Sequence, residues 1–300
     1  MIRIGVDFGG SKIEAAALDV DGRFLARLRA PNPGDYRESV ETVRRLVVEV
    51  EREAGATGAS VGVGMPGSIS PRTGRVRNSN SVWLNGAAFD KDLETALERP
   101  VRLQNDANCF ALSEATDGAG RGAAVVFGAI LGTGCGGGVV VDGTAVEGHN
   151  RIGGEWGHTP LPWPSSSERN ARKCWCGRMD CLETWISGSG FSADYAAATG
   201  RRCTGEAIMT AATAGEREAG DAFARYIDRL GRALAVVCDI LDPDVVVCGG
   251  GMSNIPQIYE QVTAAVERHV FSDVFTTRIA PAAHGDSSGV RGAAWLWPIG

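Results

Sequence analysis

Residues 2–8 form a short apolar run that ends on Gly9-Gly10, the pattern of a buried strand followed by a glycine turn. Residues 13–20 read as the returning strand, Asp21-Gly22 as a hairpin turn, and residues 23–29 as a third strand. The period then lengthens. Val40, Val43, Val47 and Val50 recur at helical spacing with charges between them and predict a helix over 36–54. Beyond it the pattern predicts a strand over 60–65 ending at Pro66-Gly67, a helix over 89–98, a strand over 101–104 and a helix over 107–115.

The second half opens on the same plan. Residues 124–131 are a buried-strand run, Gly132-Thr133-Gly134 turns it, residues 136–141 return, and Asp142-Gly143 makes another hairpin turn. Strand, glycine turn, strand and Asp-Gly thus occur twice, about 120 residues apart, which points to two lobes built from one duplicated unit. A chance match of two hairpins is the alternative. Residues 147–181 have no clear period. A long helix is predicted over 216–241, stopped by Asp242-Pro243, then a strand over 244–248, Gly249-Gly250-Gly251, and a helix over 255–270. Strands alternating with helices and ending in glycine loops indicate an α/β protein with ligands at the carboxyl ends of its strands.

Composition narrows the function classes. Glycine supplies 41 of 300 residues, about twice the usual share, and clusters beside strands rather than in a linker-like tract. The net charge of −6 lacks the basic footprint of a nucleic-acid binder. No apolar run reaches the roughly 18 residues of a membrane span. The start passes directly into a strand pattern with no secretory core, so a cytoplasmic location and no membrane partner are expected. Five of the eight cysteines are scattered among apolar or small residues and read as inert core thiols; Cys174, Cys176 and Cys181 are crowded together.

A polyphosphate needs backbone N–H groups aimed at it and no side chain in the way, which glycine provides. Three glycine loops follow three apolar strands: Gly9-Gly10-Ser11-Lys12, Gly132-Thr133-Gly134 with Gly136-Gly137-Gly138, and Gly249-Gly250-Gly251. Each alone is more often a structural turn; together they favour a nucleotide cleft between lobes. Asp7, just before the first loop, can hold Mg²⁺ through water, or can simply cap the turn.

His158, Cys174, Cys176 and Cys181 offer one nitrogen and three thiolates, a standard closed tetrahedral zinc shell. Four protein ligands leave no open position, so the expected Zn²⁺ is structural. The alternatives are buried thiols beside an unrelated histidine, or a redox pair at Cys174 and Cys176. The segment 161–172 has few apolar residues to hold it, which gives a metal staple something to do.

Taken together, Asp7-Phe8-Gly9-Gly10-Ser11-Lys12, Asn105-Asp106-Ala107-Asn108, Leu131-Gly132-Thr133-Gly134, Gly153-Gly154-Glu155-Trp156-Gly157-His158, the cysteine cluster and Val247-Cys248-Gly249-Gly250-Gly251 resemble the ROK group of sugar kinases. The resemblance runs from residue 2 to the segment 284–294. It implies the actin-like ATPase (ribonuclease H-like) fold, with two lobes around a nucleotide and sugar cleft. The expected lobes are 1–120, with 286–300 packing back on it, and 121–285, carrying a zinc-binding insertion at 155–183. It also implies ATP and Mg²⁺ at Asp7, Phe8, Gly9, Gly10, Ser11, Lys12, Gly132, Thr133, Gly134, Gly136, Gly137, Gly250 and Gly251.

On spacing alone Asn105-Asp106 could equally be a helix cap. The resemblance assigns Asp106 the role of general base and Asn105 a sugar hydrogen bond. Glu155, His158 and Glu183 match the family's sugar ligands, with Asn80 joining them from the loop after Pro66-Gly67. The motifs at 78–84 and 295–298 look most like the fructokinase (mannofructokinase) branch. Fructose is therefore the expected hexose, with mannose or glucose as side substrates. The alternative is an N-acetylglucosamine kinase of the same family, and a remoter one a non-catalytic sugar sensor, which should lack the base or a phosphate loop. The related repressors carry an N-terminal helix-turn-helix, for which the first strand leaves no room. A homodimer is the family's commonest form.

Overall fold

The computed structural model describes residues 2–297. Met1 and residues 298–300 lie outside the described residues, and with them Pro298 of the 295–298 motif and the end of the 286–300 segment. In chain order the elements are β1 (Arg3–Phe8), β2 (Lys12–Leu18), β3 (Phe24–Pro31), α1 (Tyr36–Glu53), β4 (Ser60–Met65), β5 (Ser68–Ile69), β6 (Val76–Arg77), α2 (Phe89–Leu97), β7 (Val101–Asn105) and α3 (Asp106–Asp117). There follow β8 (Val125–Leu131), β9 (Cys135–Val141), β10 (Thr144–Ala145), α4 (Glu183–Ile186), α5 (Gly188–Thr199), α6 (Gly205–Thr213), α7 (Arg217–Leu241), β11 (Val245–Gly249), α8 (Pro256–Glu267), β12 (Arg278–Pro281) and α9 (Ser288–Ala294).

Two five-stranded sheets carry the fold, ordered β3-β2-β1-β4-β7 and β10-β9-β8-β11-β12. In the first, β1 runs antiparallel to β2 and parallel to β4, which is parallel to β7. In the second, β10 is antiparallel to β9, and β11 is parallel to β8 and β12. The same strand order twice accounts for the repeated strand-glycine-strand pattern. The chain divides into two compact units: one up to Gly122, with Gly138–Gly154 and from His284 onward, the other of Ala123–Gly137 and Glu155–Ala283. Residues 138–154 thus cluster with the first unit rather than with the residues on either side.

The first turn departs from expectation by a small side-chain effect. Asp19 Oδ1 accepts the N–H groups of Asp21 and Arg23 at 3.0 and 2.8 Å, so β2 stops at Leu18 and the turn begins before Asp21. The helix predicted over 36–54 forms as α1. Asp35 caps its N-terminus, and Val43, Leu46, Val47 and Val50 bury themselves against the sheet. On the other face of β1 and β4 lies α9, made almost entirely of small residues. A Cβ added at Gly5 or Gly62 would overlap the carbonyl oxygens of Val290 or Ala293, so these glycines let helix backbone rest directly on strand backbone. Among the described residues no helix is long and apolar enough to cross a membrane.

Candidate active site

In the first unit, the parallel register Asp7↔Gly64 and Met65↔Asn105 brings the carboxyl ends of β1, β4 and β7 side by side. Asp7 is the penultimate residue of β1, and Asp106 opens α3 directly after β7. Burial, then the charge of Asp106, then that of Glu14 push the Asp7 carboxyl up to about 6. The N-terminal residues of α9 contribute to the crowding, since a Cβ at Gly289 would stand 3.1 Å from the Asp7 carboxylate. A carboxyl held in this state gains most from a nearby cation, which suits the position expected of the Mg²⁺ residue.

Asn105 is the cap of α3: its side chain accepts the Ala107 N–H at 2.9 Å and donates to Gly67 O at 3.2 Å. Gln104, which the sequence does not single out, supports this corner. It accepts from Asn105 N and Asn108 Nδ2 and donates to Glu147. The cap and site readings of Asn105-Asp106 are therefore compatible, because capping fixes Asp106 at the strand end. Asn80 is exposed on a loop held by paired hydrogen bonds between Ser79 and Asn85. The loop from Gly9 to Lys12 is exposed at Gly10, Ser11 and Lys12; Gly9 N–H donates to Lys12 O at 3.0 Å, and Asn32 donates its side-chain amide to Gly9 O and its backbone N–H to Ser11 O. Phe8 could offer such a site its backbone only. Its ring is in the core, edge-on to Phe89.

In the second unit the other two glycine loops meet. β8 and β11 pair in register Ile130↔Gly249, and Gly250 takes φ of +82° with its Cα against the start of the Gly132-Thr133-Gly134 loop. A Cβ there would lie 2.6 Å from Leu131 C and 2.7 Å from Gly132 N. Together Gly132, Thr133, Gly251 and Met252 line a cavity of about 1470 Å³, completed by residues of α5, α6 and α8 that include Met209 and Gln257. Gly136 and Gly137 fall inside β9 rather than in the loop, and Gly136 O accepts the Trp156 indole N–H at 2.7 Å. Trp156 is thereby a core residue, edge-on to Phe127.

Cys135 is the junction of the expected sugar ligands. Its N–H donates to Glu183 Oε2 at 3.0 Å, while Glu183 Oε1 accepts the Trp175 indole N–H at 2.6 Å. A Cβ on Gly157 would overlap the Cys135 carbonyl oxygen, so the turn holding Glu155 and His158 is pressed onto the same residue. Glu155 itself is exposed.

His158, Cys174, Cys176 and Cys181 present ligand atoms all within 4.8 Å of one another. Cys174 Sγ lies 3.7 Å from His158 Nδ1, and the Cys176 and Cys181 sulfurs are 3.6 Å apart. A tetrahedron of Zn–S bonds has edges of about 3.7 Å, which these two separations match, so the donor set suits zinc. Burial and the neighbouring thiols push Cys181 up to about 12. Burial also opposes ionisation of Cys176, yet the Arg178 N–H and the other thiols hold it below the usual thiol range. A divalent cation would relieve this conflict, since it deprotonates its thiol ligands.

The family model of the ROK family matches residues 3–299. The chain belongs to the ROK family. N-acetyl-D-glucosamine kinase of Photobacterium profundum is 39% identical over an alignment of 297 positions that covers 97% of this chain and 98% of that protein. The crystal structure of a ROK hexokinase from Thermus thermophilus superposes with a TM-score of 0.87 at 32% identity, covering 98% of this chain and 97% of that one. A ROK family glucokinase from Streptomyces griseus, solved with glucose and AMPPNP, gives 0.81 at 26% identity over 100% of both chains. This ROK protein is a sugar kinase, a phosphotransferase, and has the actin-like ATPase fold.

The ROK chain also contains a buried ionic network that the sequence reading misses. Glu168, with Arg229 and Arg232 of α7, and Asp194 of α5, with Arg172, Arg225 and Arg229, tie the segment around 161–172 to α7. That segment is thus anchored independently of any metal. The available signal was Arg225, Arg229 and Arg232, spaced four and three residues apart on one face of the long helix.

Proposed function

We propose that this chain is an ATP-dependent N-acetyl-D-glucosamine kinase, with Asp106 as the base that accepts the sugar hydroxyl proton. The 39% identity to an N-acetyl-D-glucosamine kinase, spanning nearly the full length of both chains, carries the choice of sugar. Motifs at 78–84 and 295–298 favour fructose; the relatives favour N-acetylglucosamine.

Phosphoryl transfer asks a protein mainly for positioning and charge stabilisation. Asp106 has a fixed backbone at the capped start of α3, so its carboxylate can accept a proton as the hydroxyl oxygen attacks the γ-phosphorus. Asn105, Asn80, Glu155, His158 and Glu183 are assigned to the sugar hydroxyls, which need an ordered set of acceptors and donors. The cavity beside Gly132, Thr133 and Gly251 takes the adenine nucleotide, its methionines against the base and its backbone N–H groups toward phosphate. The loop from Gly9 to Lys12 takes terminal phosphate, and Asp7 holds Mg²⁺ through water. When bound, Mg²⁺ neutralises the phosphate charge. The Cys3His cluster holds a structural zinc.

The test is a coupled ADP-release assay with fructose, mannose, glucose, N-acetylglucosamine and N-acetylmannosamine. N-acetylglucosamine should give the highest kcat/KM. A higher value for fructose would overturn the choice of sugar, and turnover with none would overturn the activity.

A further inference from the structure

Trp175 lies between two of the clustered cysteines and is 71% exposed, yet it makes a specific polar contact. Its Nε1–H donates to Glu183 Oε1 at 2.6 Å, and its ring stands edge-on to His158 with centroids 5.0 Å apart and planes at 83°. An exposed indole normally gains little from being fixed. Here the residues on both sides, Cys174 and Cys176, belong to the cluster, so a bound metal would hold the backbone on either side of the ring. Two side-chain torsions then set where the N–H points.

Glu183 is clamped from both sides. Trp175 binds one carboxylate oxygen and the Cys135 N–H binds the other. The glycine loop has adapted to this carboxylate, because a Cβ at Gly134 would come within 2.6 Å of Glu183 Oε2. A carboxylate offers about four lone-pair sites, of which these two bonds use half. The clamp therefore orients Glu183 and leaves capacity for sugar hydroxyls.

We infer that Trp175 is a positioning residue: its indole N–H fixes the Glu183 carboxylate for the sugar, linking the cysteine cluster to the glycine loop at Cys135. This rests on the proposed reading of Glu183 as a sugar ligand. Trp175 needs no contact with the sugar to act in this way. It is the donor, rather than the ring, that matters.

Trp175→Phe keeps an aromatic ring at this position and removes the N–H together with the five-membered ring that carries it. In the intact enzyme we expect KM for N-acetylglucosamine to rise about tenfold, the scale of a lost hydrogen bond to a charged acceptor. The expected change in kcat is below about threefold, with metal content per chain and melting temperature unchanged. A ring with a merely structural role would instead show itself as a lower melting temperature or lower metal content. Glu183→Gln is the control arm. If it raises KM while Trp175→Phe leaves KM within twofold of wild type, the inference fails and the reading of Glu183 stands. If neither variant moves KM, the sugar-ligand reading itself fails, and the inference with it. Nuclear magnetic resonance of indole-¹⁵N-labelled protein gives a check that needs no change at Trp175. One indole N–H resonance should shift on Glu183→Gln, and seven unmoved resonances would overturn the clamp.

Discussion

Asp7 and Asp106 stand at the carboxyl ends of β1 and β7 close enough for the charge of one to act on the other. After burial, the Asp106 carboxylate is the largest contributor in holding Asp7 up to about 6. Two acids that resist sharing negative charge are well placed for a cation and a proton acceptor to work side by side.

The first prediction concerns Asp7 and pH. In the folded chain Asp7 keeps a proton up to about 6, whereas the unfolded chain releases it near 3.8. The contribution is fully present below the unfolded value and is lost as pH rises through about 6. Asp7→Asn should therefore stabilise the metal-free protein at pH 7.5, by up to about 3 kcal/mol, and have no such effect at pH 4. Thermal unfolding at both values measures it. The same variant should lose Mg²⁺-dependent turnover, and in the wild type Mg²⁺ should compete progressively less well with protons below about pH 6.

Removing the proposed base should separate chemistry from binding. Asp106→Ala is expected to lower kcat by about 10²–10⁴-fold, the range of general base catalysis. Calorimetry should still detect N-acetylglucosamine with affinity reduced by less than about tenfold. Wild-type turnover in this variant would remove Asp106 from the mechanism.

Loss of the metal should be felt first by the sugar. Cys176→Ser takes one ligand from the cluster that carries His158 and flanks Trp175. KM for N-acetylglucosamine should rise at least as much as KM for ATP, with metal content measured by mass spectrometry in parallel. An unchanged sugar KM in protein shown to be metal-free would count against a link between cluster and sugar ligands.

The ionic network predicts a stability effect of opposite pH sign to that of Asp7. Burial works against the Glu168 charge, but hydrogen bonds from Arg229 and Arg232 outweigh it and hold the carboxyl down at about 2. The stabilisation is present above the ordinary value near 4.5 and is lost as pH falls through about 2. Glu168→Gln leaves two buried guanidinium groups short of a counter-charge. It should cost about 3–5 kcal/mol in urea unfolding at pH 7, with the difference narrowing in strong acid.

The parts of the fold that announce themselves are those built from large apolar residues at regular spacing. The strands β1, β4, β8 and β11, the helices α1 and α7 and the repeated hairpins are all legible in this way, as are the glycine loops between them. The pattern is silent about α9, whose burial depends on Ser288, Gly289, Gly292, Ala293 and Ala294 being small, so no apolar stripe marks it. It is equally silent about β12, an Arg-Ile-Ala-Pro run without alternation. At the site, residue type and order locate Asp7, Asp106 and the cysteine cluster. What order cannot convey is which partners the side chains find. Phe8 and Trp156 lie beside expected ligands in the chain yet turn into the core, while Trp175 lies outside the core and reaches Glu183. Those outcomes depend on packing across elements far apart in sequence.

The seating of α9 on β1 and β4 has a consequence for how the protein is made. During synthesis β1 leaves the ribosome before the other strands described here, but the helix that covers one of its faces is translated only after every described strand and helix of the second unit. Until then the backbone at Gly5 and Gly62 has no lid, and the nascent first unit must wait with an apolar surface open to other chains. Chaperone dependence should therefore concentrate at the N-terminal end of the polypeptide, and should end when residues 288–294 emerge.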